Sequence, residues 1–178
     1  MKKWRTLMNA LKISFLILSS LAFLSLSGNR ERNVQMQGRN FIPPTNEGVL
    51  VSKFGFRVHP ILNKIRNHPG IDIRAQKGTK VYAVEDGTVH KIITTYRKNR
   101  GYGKFISLAH QGNLFTRYAH LDSILVKKGQ KVKRGTLIGL VGETGLAAGP
   151  VLHFEMLKDL KKVDPENYID FTILSKDK

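Results

Sequence analysis

The chain has 178 residues, 41% of them hydrophobic and 8% aromatic, which suits one domain with an ordinary core plus an N-terminal extension and excludes a disordered chain. Its formal net charge of +17 implies attraction to a polyanion, whether nucleic acid, an anionic membrane surface or a carboxylate- and phosphate-rich wall. It has no cysteine, so disulfides, thiolate metal sites, cysteine nucleophiles and lipid attachment through an N-terminal cysteine are all excluded.

Lys2, Lys3, Arg5 and Lys12 precede an apolar run over residues 13–27, which ends in the small-x-small triplet Ser25-Leu26-Ser27 before Gly28. A basic region, an apolar region and a small-residue site form the secretory pattern. The run falls short of the ~20 residues of a comfortable membrane span. Residues 1–28 are therefore expected to be a signal peptide, with an uncleaved membrane anchor as the alternative. In either case the rest of the chain is extracytoplasmic, in the periplasm, in the cell envelope or secreted. Residues 29–48 are polar, broken by Pro43-Pro44, and read as a linker.

From Val49 the texture changes to short apolar runs punctuated by glycine. Residues 80–85, 87–93, 104–110 and 114–120 are rich in β-branched and aromatic side chains and read as strands. Asp86-Gly87, Lys128-Gly129 and Arg134-Gly135 supply turns. The fold class expected is all-β, with a short helical turn near Asp164-Pro165-Glu166, over a domain at 49–172 and a basic tail at 173–178. The segments beginning at Lys77 and Lys128 share a Gly-x-x-Val…Gly-Thr rhythm, and each reads as a strand, a glycine turn and a returning strand. Lipoyl and biotinyl carrier domains have similar rhythms, but no glycine turn here presents a modifiable lysine beside methionine.

Without cysteine, a metal site must come from His, Asp and Glu. In His68-Pro69-Gly70-Ile71-Asp72, Pro69 and Gly70 forbid a continuous helix. In extended chain Asp72 points away from the core that takes Ile71 and Ile73. A carboxylate between two isoleucines needs a partner if it is buried, and a cation held with imidazole suits zinc. A turn histidine beside a strand-edge aspartate is the competing reading. In Val151-Leu152-His153-Phe154-Glu155-Met156, alternation sends Leu152, Phe154 and Met156 to the core and Val151, His153 and Glu155 to the other face. His153 there either completes a His-Asp-His set that leaves a fourth tetrahedral position for water, or is an ordinary strand histidine. Glu155 reads equally as a partner to such a site or as a solvated strand carboxylate.

These pieces together resemble the lysostaphin/LytM zinc peptidases. The resemblance is carried by His68-Pro69-Gly70-Ile71-Asp72, Thr116-Arg117-Tyr118-Ala119-His120-Leu121, Gly142-Glu143-Thr144-Gly145 and Gly149-Pro150-Val151-Leu152-His153-Phe154-Glu155. Flanking blocks at 52–60, 81–87 and 126–135 follow in the family's order, so the likeness spans 52–168. It implies a mostly antiparallel β fold with a groove, a duplicated hybrid motif, and hydrolysis of peptide bonds in peptidoglycan stems or cross-bridges. It further implies zinc (Zn2+) ligated by His68, Asp72 and His153, with His120 as a catalytic histidine beside the metal-bound water. His59 and His110 are assigned to structure and His90 to the surface.

The sequence departs from the family pattern at Val151, where a first histidine of a His-x-His motif belongs. Valine offers no donor, acceptor or titratable group, and one general acid–base group contributes about 10²–10⁴-fold. The groove tyrosine that some members carry upstream of the first ligand is also missing, since 52–72 holds no tyrosine. The expectation is therefore a zinc endopeptidase of peptidoglycan with reduced activity. The alternative is a catalytically degenerate, zinc-retaining domain that binds peptidoglycan or activates a separate cell-wall hydrolase. An envelope binding module driven by charge alone is a weaker third. Nucleic acid is not an expected partner, because no recognised nucleic-acid module is present and export removes the chain from the chromosome.

Overall fold

The computed structural model describes residues 40–58 and 64–174. The expected signal or anchor at 1–28, the first part of the linker, His59 and the last four residues lie outside them. Among the described residues no helix is long and apolar enough to cross a membrane.

Twelve strands are described: β1 (Val49–Ser52), β2 (Gly55–Val58), β3 (Ile65–His68), β4 (Ile71–Arg74), β5 (Lys80–Tyr82), β6 (Gly87–Ile93), β7 (Lys104–His110), β8 (Leu114–Ile124), β9 (Lys131–Val132), β10 (Leu137–Val141), β11 (Val151–Lys158) and β12 (Lys161–Val163). The all-β, antiparallel expectation holds. Ten strands form one sheet along the path β1-β4-β11-β8-β7-β6-β9, with β10 joining β5 to β8 and β12 on β11, while β2 and β3 form a separate hairpin. The helical turn appears as a single 3-10 turn, Pro165–Asn167, whose first amide is capped by the Asp164 side chain.

The two similar glycine-punctuated segments do not fold as two separate hairpins. They pair with each other: Tyr82 and Val81 of β5 face Leu137 and Gly139 of β10, and Gly87 and Thr88 of β6 face Val132 and Lys131 of β9. Neither β5 nor β9 is long enough to hold a hairpin alone, whereas crossing the copies gives each short strand a partner and buries Val81 and Val132.

Alternation is obeyed where it matters for the site. Ile71, Ile73, Leu152, Phe154 and Met156 are fully buried, and the Phe154 ring packs against the buried Tyr118 at 5.3 Å between centroids. The described end of the segment read as linker lies against the domain. Ile42 donates its amide to the Val84 carbonyl, Tyr82 donates to the Pro44 carbonyl, and Phe41 and Thr45 are buried.

Candidate metal centre

β4 and β11 pair antiparallel, with His153 opposite Asp72 and Phe154 opposite Ile71. Opposed residues share a face, so core packing of the apolar set forces Asp72 and His153 together on the other side. His68 ends β3 and reaches the same point across the Pro69-Gly70 turn. Gly70 is required there, since a Cβ at this position would lie 2.2 Å from the Phe154 carbonyl oxygen.

The three side chains converge. Asp72 Oδ1 is 2.7 Å from His153 Nδ1 and 3.2 Å from His68 Nε2, and the two imidazole nitrogens are 3.1 Å apart. One ligand atom from each lies within 4.8 Å of the others. The outer hydrogen bonds select the tautomers. His68 Nδ1–H donates to the Lys53 carbonyl at 2.8 Å, leaving Nε2 with a lone pair aimed at the cluster. His153 Nε2 lies 3.3 Å from Glu155 Oε1, and a proton donated there leaves Nδ1 as the ligand atom. Two imidazoles and one carboxylate, each backed by an outer partner, match the donor chemistry of a zinc site with one position left for water. The residues present fit the metal.

Burial alone would raise the Asp72 carboxyl, but the adjoining His153 and His68 imidazoles override it and hold the group well below the usual carboxylate range. Arg57 meets the same carboxylate from outside, with Nη2 2.8 Å from Asp72 Oδ2. Burial opposes protonation of His153, while Asp72 and Glu155 outweigh it and push that imidazole up.

His120 stands beside the cluster, its ring 5.9 Å from that of His153. Its Nδ1–H donates to the Thr144 carbonyl at 2.7 Å, so Nε2 is the free nitrogen. Burial lowers its pKa, keeping the ring neutral near pH 7. Its backbone is left-handed, φ 62°, at a place where two residues of β8, Ala119 and His120, stand opposite one of β7, Phe105, between the pairs Lys104–Leu121 and Ile106–Tyr118. Bulges re-aim side chains in this way, and such conformations concentrate at functional sites.

Glu155 is fully buried, so the solvated-carboxylate reading is corrected. It accepts from Tyr102 Oη at 2.7 Å, from Arg117 Nη1 at 2.9 Å and from Lys162, as well as facing His153. Burial would raise its pKa, but His153 and Lys162 bring it down to about 2. The same burial, with Glu155 beside it, pushes the Tyr102 phenol up to about 12. Sequence reasoning missed Arg57, Tyr102, Arg117 and Lys162. They come from four different strands or loops, and no local spacing marks them.

The cluster opens into a groove of about 1210 Å³ lined by His68, Asp72, His120 and His153 together with Val151, Tyr102 and three arginines, Arg57, Arg66 and Arg74. Val151 faces the groove as the alternation requires. His110 is structural, its Nδ1 2.8 Å from the Asp86 carbonyl and its Nε2 2.8 Å from Thr116 Oγ1. His90 is exposed.

The model of peptidase family M23 matches residues 66–165. The chain is 39% identical over 134 residues to the DD-carboxypeptidase/endopeptidase Mpg of Neisseria meningitidis, covering 75% of this chain and 30% of that one. It is 44% identical over 102 residues to the peptidoglycan DD-endopeptidase ShyA of Vibrio cholerae, covering 57% and 23%. It thus spans less than a third of the length of these curated relatives. Among solved structures it resembles a mutant catalytic domain of the prophage-encoded M23 protein EnpA from Enterococcus faecalis, with TM-score 0.59, 31% identity, and 68% of this chain and 91% of that one covered. Lysostaphin from Staphylococcus simulans aligns with TM-score 0.58 and 29% identity, over 69% and 49% of the two chains. With the match covering 100 of 178 residues, the LytM/lysostaphin-type fold and a His-Asp-His group able to hold a metal, the chain belongs to peptidase family M23.

Proposed function

We propose that this domain is a zinc-dependent endopeptidase of bacterial peptidoglycan, working outside the cytoplasm with reduced turnover. The reading rests on one observation above all: Asp72 Oδ1 lies 2.7 Å from His153 Nδ1 and 3.2 Å from His68 Nε2 on the floor of an open groove. His68, Asp72 and His153 are the ligands in this reading, and 1–28 is the export signal or anchor that carries the domain at 49–172 to its substrate. Bound zinc would polarise the peptide carbonyl and acidify a water. His120, neutral and with Nε2 free, is the proton-handling group beside that water. Arg57 fixes the free rotation of Asp72, and Glu155 fixes the ring of His153.

Val151 supports the word reduced. The resemblance calls for a second imidazole at this position, and the side chain that lines the groove there has no proton to move. The same observation favours the second reading, a degenerate domain that binds peptidoglycan or activates a separate hydrolase. Digestion of purified sacculi by the zinc-loaded protein and by Val151→His separates the two. The expected result is slow release of fragments by the natural chain and release faster by about 10²-fold in the variant. Two inert proteins, both with zinc bound, would replace the enzyme by the degenerate domain.

A further inference from the structure

β4 lies between β1 and β11, and its last residue, Arg74, stands opposite Val49 on one side and Val151 on the other. Asp72, two residues earlier, stands opposite His153. Arg74 therefore occupies the same face as the ligand cluster, about 7 Å further along the strand. Its side chain is exposed and lines the groove. Of the three groove arginines Arg57 is taken up by Asp72, while among the described residues Arg66 and Arg74 make no ion pair or side-chain hydrogen bond; Arg74, unlike Arg66, belongs to the sheet that pairs Asp72 with His153. The carboxylates of the groove lining are Asp72, already engaged, and Glu47, against the three arginines.

We infer that Arg74 is the anchor for a free carboxylate on the peptide that occupies the groove. This rests on the peptidase reading and adds a substrate class to it: an anionic peptide whose carboxylate lies one to two residues from the bond held over His68, Asp72 and His153. Three features carry the argument. A guanidinium is weakly hydrated and offers a planar fork that matches a carboxylate in two parallel hydrogen bonds. Its two cross-strand neighbours are valines, which neither compete for the fork nor hold water against it. An extended chain advances about 3.3 Å per residue, so the separation along β4 from Asp72 to Arg74 equals two residues of a peptide lying along the groove. At Val151 the groove thus offers an apolar wall and, directly across the strand, an unpaired cation.

The carboxylate can be the C-terminus of a stem or a side-chain group within a cross-link, and one experiment separates them. Zinc-loaded full-length protein is titrated by fluorescence anisotropy with a labelled peptide joined through two D-residues, in three forms: all carboxylates free, C-terminal amide, and side-chain amide. One of the amides is expected to bind about tenfold more weakly than the free acid, and which one identifies the source. In Arg74→Gln the acid and that amide should bind alike, with zinc content unchanged, and Arg74→Lys should restore part of the difference. Discrimination that survives in Arg74→Gln, or natural protein indifferent to both amides, overturns the assignment while leaving the groove a peptide site. No binding of any form to the zinc-loaded protein overturns the peptide groove and the anchor together.

Discussion

Arg57 Nη2 sits 2.8 Å from Asp72 Oδ2, so the carboxylate turns its other oxygen, Oδ1, to both imidazoles. The guanidinium thus sets which oxygen faces the metal position. Groups that orient a ligand in this way typically alter metal affinity by 10–100-fold. Arg57→Ala is expected to weaken zinc binding by about that factor in competition with a chromophoric chelator. Arg57→Lys should recover only part, because an ammonium on a flexible stem restores the charge without the guanidinium's fixed direction. Unchanged affinity in Arg57→Ala would remove the orienting role.

Metal binding must also appear in stability, because the three ligands come together only in the folded sheet. Zinc at a hundredfold excess over its dissociation constant should add about 2.7 kcal/mol, read as a rise of several degrees in the thermal midpoint. A chelator should abolish the rise, and Asp72→Ala should show none. An equal rise in Asp72→Ala would place the zinc elsewhere.

Glu155 joins the metal position to the body of the sheet. Its carboxylate is fully buried and faces Arg117, Lys162 and Tyr102 as well as His153. Truncation to alanine strands two cations in or near the interior, and breaking such a network costs about 3–5 kcal/mol. Glu155→Ala should therefore lose much of its stability to urea, and Glu155→Gln, which keeps the shape and an acceptor for Tyr102, should lose less. Equal denaturation midpoints for all three proteins would refute the hub.

Two glycines make a controlled pair. A Cβ at Gly70 meets the Phe154 carbonyl oxygen at 2.2 Å and Glu155 Cγ at 2.9 Å, so Gly70→Ala must push the turn between β3 and β4 away from β11. Gly78 has open space around its Cβ position but φ +91°, and Gly78→Ala bears only the backbone cost, on the order of 1 kcal/mol. Gly70→Ala is expected to lose zinc affinity as well as stability, whereas Gly78→Ala should lose a little stability and keep its zinc.

Much of the site was legible in the sequence, for a reason that also marks where legibility ends. Asp72 and His153 alternate with the buried Ile71, Ile73, Leu152 and Phe154, so alternation assigns their face, while their role as ligands and that of His68 came from the resemblance. Val151 and Glu155 follow from the same alternation, but the burial of Glu155 does not. It depends on Arg117, Lys162 and Tyr102 arriving from elsewhere to neutralise it. Arg57 was hidden for the same reason, its partner being fifteen residues away on a different strand. The glycine segments misled because a strand-turn-strand pattern predicts local return, while β5 and β9 are too short to be stable except against the other copy. His120 came from resemblance; its left-handed backbone follows from a bulge that no residue preference announces.

The pairing of Asp72 with His153 has a further consequence, for when the site comes into being. These residues are 81 positions apart, and their meeting depends on the register of β4 against β11. A slip of one residue would send one of the two to the core and bring Ile71 or Leu152 to the groove in its place. Contacts so distant in sequence form late, after the loop between them has been closed. An unfolded chain therefore holds no assembled metal position, and tight metal capture has to await the pairing of β4 with β11.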